Sequence, residues 1–105
     1  MAFPEIRLYE FDENPAGTLP LGDGHVHDVR QMSDKGYEFK TALGCAAVFT
    51  LEGSVAGSVW TTIQAGIGAA DAQGSIGDEY NYVRVNGTTA GVLLGAELKI
   101  AGKVL

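Results

Sequence analysis

Fifteen glycines, interleaved with Asn and Asp clusters, divide this chain into short segments, and none of those segments holds apolar residues at the 3.6 period through three helical turns. Glycine is costly inside regular elements and useful where φ must be positive, so its spacing predicts many turns and few helices. Between the glycines the surviving pattern has period two. In "GVLLGAELKI" the residues Val92, Leu94, Ala96, Leu98 and Ile100 alternate with Leu93, Gly95, Glu97 and Lys99, which predicts a strand with one buried face. "YNYVRV" sets Tyr80, Tyr82 and Arg84 against Asn81, Val83 and Val85, and "NGTT" is expected to end that strand.

Two further runs sit side by side. "CAAVFTLEG" places Ala47, Phe49 and Leu51 on one face, and "SVWTTIQ" places Val59, Thr61 and Ile63 opposite Trp60 and Thr62. "EIRLYEF" and "HVHDVRQM" are weaker strand candidates on either side of the loop "DENPAGTLPLGDG". "AGIGAADAQGSIGDE" reads as a long connection, with either a short strand near Ile76 or a helical turn at Ala69 to Ala72. Six to eight short strands joined by turn signals predict an all-β chain, a small antiparallel β-sandwich or a jelly-roll-like barrel, with residues 1–105 forming a single domain.

The glycine–serine stretch "LEGSVAGSVW" could be a phosphate-cradling loop or the end of a β-hairpin. A P-loop needs a lysine to answer the phosphate charge and a following helix to aim its N-terminal dipole. No lysine occurs between Glu52 and Ile63, and the β-branched "VWTTIQ" that follows is poor helix material. The hairpin is expected.

Charge narrows the partners. Seven Lys and Arg against thirteen Asp and Glu give a net charge of -6, and no two of the cations lie closer than four residues apart, so phosphate backbones would be repelled and nucleic-acid binding is not expected. No run of eighteen apolar residues is present, so no membrane span is expected. The start "MAFPEIRLYE" lacks the charged and apolar regions of a signal peptide, which predicts synthesis and retention in a cytoplasm or in a particle assembled there. The single cysteine, Cys45 in "ALGCAAVF", has no intramolecular partner and is expected to be a small buried hydrophobe in a reducing compartment.

Candidate chemistry is sparse. His25 and His27 in "GDGHVHDVR" share one side of a strand, a spacing that suits a metal with Asp23 or Asp28 as a third ligand. They are the chain's two histidines, and a glycine-flanked polar segment is commonly a solvated strand end, so neither a metal site nor a cofactor is expected. No G-x-S-x-G elbow is present. The neighbouring carboxylates Asp12–Glu13 and Asp78–Glu79 point oppositely on an extended chain and read as solvated loop charges. No catalytic residues are expected, and the chain is not read as an enzyme. Trp60 is expected in the core beside Val83 or Val85; alternatively it joins Tyr80 and Tyr82 in a platform for a sugar. Arg84, mid-strand, either stacks over one of these rings or pairs with an acid across the sheet.

"LEGSVAGSVWTTIQ", a glycine-rich connection, and then "YNYVRVNGTTAGVLLGAELKIAGK" together resemble a motif of small bacteriophage virion β-sandwich proteins, over residues 48 to 103. Where the usual turn carries an acidic residue, Val55-Ala56-Gly57 stands here. The resemblance implies a virion structural protein, with head decoration (cement) proteins and tail or fibre parts as the positions available. The compact acidic chain favours capsid decoration, with the major capsid protein as partner and homo-oligomeric attachment, a trimer at local threefold positions. The alternative it leaves is a carbohydrate-binding or adhesion module on a tail or fibre. A metal-dependent cupin-like enzyme centred on His25 and His27 is a third reading.

Overall fold

The computed structural model describes residues 3–9, 18–19, 21–93 and 95–104, with side chains described for 18–19, 21–93 and 95–103. Within them the chain is all-β. The strands are β1 (Phe3–Tyr9), β2 (Thr18–Leu19), β3 (Gly22–Asp23), β4 (His27–Asp28), β5 (Met32–Lys40), β6 (Val48–Ser54), β7 (Thr61–Ile67), β8 (Ala72–Ser75), β9 (Tyr82–Thr89), β10 (Gly91–Val92) and β11 (Glu97–Val104). The first sheet runs β1-β11-β5-β8 and the second runs β3-β9-β6-β7, with β4 also on β9; β10 and β2 form a separate pair. Every pairing is antiparallel.

The pleat explains the core. In β5, Tyr37 and Phe39 point inward while Glu38 and Lys40 point out; in β6, Phe49 and Leu51 point inward, as their period-two spacing predicts. β11 adds Leu98 and Ile100, β9 adds Val83 and β7 adds Ile67. Phe39 of the first sheet meets Phe49 of the second edge to face, with ring centroids 5.3 Å apart at 79°. The two sheets therefore face each other across one apolar layer as a small β-sandwich.

The "LEGSVAGSVW" stretch is the hairpin connection. β6 and β7 pair directly, and residues 55–60 join them. Gly57, at φ +88°, passes over the Tyr82 ring, and its N–H donates to Ser54 Oγ at 2.8 Å. The Asn81 backbone N–H donates to Ser54 O and its side-chain amide to Val55 O, so the start of the loop is tied to the segment that precedes β9.

Several expectations change. The run "GVLLGAELKI" is two strands, because Gly95 takes φ +83° and Ala96 N–H donates back to Leu93 O in a turn. The phase flips across it: Leu93 is buried and Val92 is exposed, whereas Leu98 and Ile100 are buried as expected. Leu94 lies outside the described residues, as do Phe11, Asp12 and Glu13. The "NGTT" stretch does not end β9, which continues to Thr89 with Gly87 buried against its neighbours. β7 begins at Thr61, leaving Val59 exposed in the loop. Around Ile76 a short strand forms, β8, rather than a helical turn. Asp78 is a solvated loop residue, its side chain 62% exposed, and its Oδ1 also accepts the Asp34 N–H at 2.9 Å. Cys45 is half-buried against the edge of the core.

Candidate functional site

The outer face of the second sheet and the loops beside it bring together Trp60, Tyr82, Arg30 and Arg84. Glu52 of β6 and Arg84 of β9 stand directly opposite in register, on the face away from Leu51 and Val83. Arg84 Nε donates to Glu52 Oε1 at 2.7 Å, and its Nη1 lies 3.3 Å from Asp23 Oδ2 on β3. The guanidinium carbon sits 4.1 Å from the centroid of the Trp60 ring. Arg84 thus stacks on a ring and pairs with acids across the sheet at once, joining the two roles open to it in sequence. The Arg84 and Glu52 side chains are only 17% and 14% exposed, so the pair is partly shielded from water and is held more firmly than a surface ion pair.

A second stack lies beside the first. Arg30 is 5.6 Å from the Tyr82 ring centroid and forks onto Asp28, with Nη2 to Oδ2 at 2.6 Å and Nε to both carboxylate oxygens at 3.0 Å. Those hydrogen bonds, and then the Asp28 charge, raise the Arg30 pKa further above its already high value.

Trp60 is not in the core. It is half-buried on Arg84, and the residue beside Val83 that it meets is the outward Arg84 and not Val83 itself. The reason is positional: Trp60 is the last loop residue before β7, and the outer face offers its ring a cation while the inner face is already filled by Phe49, Leu51 and Ile67. The aromatic trio is also split. Tyr80 precedes β9 and does not follow its pleat; a Cβ on Gly53 would come within 2.7 Å of the Tyr80 ring and 2.9 Å of Ile63, so Tyr80 packs toward the core where Gly53 leaves room. Tyr82 faces the other way.

His25 is exposed and His27 half-buried in β4. Among the described residues no group of three or more His, Cys, Asp and Glu converges as a metal site would need. Asp23 and Asp28, the third ligands considered for a metal, face Arg84 and Arg30 instead. The outer face of the first sheet carries a shallow depression of about 500 Å³ floored by Gly36, Gly74 and Ala101 and edged by Glu38, Gln73 and Lys99. Sequence reading missed the Arg30–Tyr82 stack and the parts played by Asp23 and Asp28. Its available signal was the alternation itself, which puts Glu52, Tyr82 and Arg84 on the side of their strands opposite to Leu51 and Val83.

Two guanidiniums are thus held over two rings by three carboxylates on this face. Set against protein-family models, curated proteins and solved structures, the chain matches none of them.

Proposed function

We propose that this protein is a virion structural component, a decoration (cement) protein seated on an assembled bacteriophage head. The reading begins from the ordered pattern of residues 48 to 103, and one observation carries it further: the outer sheet face formed largely by those residues holds Trp60, Arg84 and Tyr82 in fixed stacks. Trp, Tyr and Arg are the side chains most enriched where protein interfaces are anchored. Because Glu52, Asp23 and Asp28 already hold the guanidiniums, docking this face freezes few rotamers and loses little entropy. Such a protein acts by binding across neighbouring shell subunits, so that opening the shell must also break its contacts.

The adhesion alternative needs a free aromatic platform. One face of Trp60 is taken by Arg84, Tyr80 packs toward the core, and Arg30 lies 5.6 Å from the Tyr82 ring centroid, so the three rings do not form one open platform.

The test is to assemble particles with and without the protein and follow their thermal opening. Shells lacking it should keep their shape and open at lower temperature, and adding the protein back should restore the higher temperature, because a ligand that binds only the intact state stabilises that state. Arg84→Ala should restore less than the natural protein does. Particles that are equally stable without it but fail to attach to cells would replace this reading with the adhesion module.

A further inference from the structure

The β6–β7 connection, residues 55–60 (VAGSVW), is uncharged and largely exposed, and yet it is held in one shape. No charged residue occurs from Gly53 to Ala70. Residues 55–59 are all exposed, Val55 at 56% and Val59 at 77%. The other exposed large apolar side chains among the described residues, Leu21, Val26, Leu43 and Val92, belong to other segments, and apolar residues scattered singly on a surface need no explanation. Two valines in one short run, next to a half-buried tryptophan, do.

The loop is tied down more firmly than a solvated tip requires. Ser54, itself buried, accepts the Gly57 N–H on its Oγ at 2.8 Å and the Asn81 N–H on its carbonyl oxygen at 3.0 Å. Asn81 Nδ2 donates to Val55 O at 2.9 Å, and Asn81 O accepts the Val29 N–H at 2.9 Å. One asparagine therefore fastens the loop to the segment that carries Arg30. Gly57 lies against the Tyr82 ring, and Trp60, the last loop residue, stacks on Arg84. The apolar tip is thus attached to both cation–ring stacks, each of which carries its own ion pair.

We infer that this loop is the element that enters the shell, and that its receptor is an uncharged recess on the protein surface of the assembled head. The inference rests on the proposed head-surface role and adds to it the contacting element and the chemistry of the surface that receives it. Charge selects the occupant. An uncharged tip gains by losing water only where the surface covering it is also uncharged, since a charge buried against it would go unpaired. Asp28, Glu52 and Asp23 already hold the neighbouring guanidiniums, which are therefore not free to grip phosphate groups, and the net charge of -6 repels nucleic acid and anionic lipid alike. A protein recess fits both facts. An apolar centre with charged groups at its margin is the usual make-up of a protein interface, and a loop already fixed in shape loses little entropy when it seats.

Cosedimentation of the purified protein with bacteriophage shells assembled without it, at several salt concentrations, tests the inference. The natural chain should bind with an affinity that changes little between low and high salt, because the contact pairs no charges across it. Val55→Asp and Val59→Asp should each weaken binding by about tenfold or more, the effect of losing a buried valine and setting a carboxylate in an uncharged recess. Their melting temperatures should stay close to that of the natural chain, since both side chains lie outside the core. Leu43→Asp, at an exposed leucine of a different loop, should bind as the natural chain does. Undiminished binding by Val55→Asp and Val59→Asp, or an affinity that falls steeply with salt, overturns the inference and leaves the head-surface role standing. Two other outcomes overturn it in favour of a different occupant: flotation with phosphatidylcholine vesicles that Val59→Asp abolishes, and a dimer of the free chain that Val59→Asp dissolves. A natural chain that neither binds shells nor raises their opening temperature sinks the head-surface role, and this inference falls with it.

Discussion

The Arg84 guanidinium touches Trp60, Glu52 and Asp23, so these four side chains do not contribute independently. Trp60→Ala removes a half-exposed ring and one cation–π contact, and should cost about 1 to 2 kcal/mol, below the ~3 to 5 kcal/mol of a core aromatic. Arg84→Ala should cost more, about 2 kcal/mol or above, because it strands the mostly buried Glu52 carboxylate without its cation. Urea unfolding of both single variants and the double variant measures these losses and should give a coupling of about 0.5 to 1 kcal/mol between ring and guanidinium. A loss above about 3 kcal/mol for Trp60→Ala would place the ring in the core after all. Tyr37 supplies a pH test. Its hydroxyl donates to Gln64 Oε1 at 3.3 Å, and burial raises its pKa above the ordinary tyrosine value of about 10. The unfolded chain therefore loses this proton first as pH rises, so Tyr37's contribution is complete below about pH 10 and is lost as the pH climbs through the folded value. Thermal melts at neutral and strongly alkaline pH should show a smaller alkaline loss for Tyr37→Phe than for the natural chain.

β5 shows how one element sets the phase of a sheet. Gly36 pairs with Ala101 and Ser33 with Lys103, so Asp34 and Lys35 together oppose the single residue Gly102 in a β-bulge. Asp34 takes φ 51°, a left-handed conformation that aspartate tolerates better than most residues. The extra residue turns Met32, Lys35 and Tyr37 all toward the inside, which an unbroken pleat could not do. Lys35 is the consequence: its side chain is 1% exposed, with Nζ donating to Met32 O at 3.1 Å and lying 3.9 Å from Asp78 Oδ1. Asp78 holds the same bulge through the Asp34 N–H. Asp34→Ala should therefore destabilise by about 1 to 2 kcal/mol through the left-handed backbone, while Asp34→Gly should cost less than Asp34→Ala. That order reverses the usual one in a strand, where glycine is the worse by about 0.5 to 1 kcal/mol. Denaturant midpoints of the two variants decide it; the usual order would mean that no bulge forms at Asp34.

At the scale of the molecule, one apolar layer joins both sheets, so neither sheet has a core of its own. Phe39 and Phe49 bridge it and are both fully buried. Phe49→Ala should cost about 3 to 5 kcal/mol, a large part of the ~5 to 15 kcal/mol that stabilises a typical domain. Far-UV circular dichroism and Trp60 fluorescence should follow a single shared transition on unfolding, since Trp60 lies on one sheet and the backbone signal comes from both. Separate transitions would mean that the sheets hold together independently. The layer also leaves the outer face of the second sheet to charged and aromatic side chains, the face that the proposed function uses.

The sequence by itself determined that the chain is all-β, that β6 and β7 form a hairpin, and that Phe49 shares a strand face with Leu51 and Leu98 with Ile100. These features are local: a period of two follows from the pleat, and a glycine-rich connection without a lysine or a following helix has few other uses. It did not reveal β5 beyond Met32, where the bulge lies, nor the flip of phase between Val92 and Leu98 at Gly95. It also placed Trp60 on the wrong side of its sheet. Such choices belong to the tertiary structure, because alternation fixes only that neighbouring side chains oppose each other. Which side faces inward is decided by bulges, positive-φ turns and the sheet packed opposite, all of which depend on residues far away in the chain. Asp78 bracing a bulge forty-four residues earlier, and Arg84 drawing Trp60 to the outer face, are interactions between distant positions that no local pattern records.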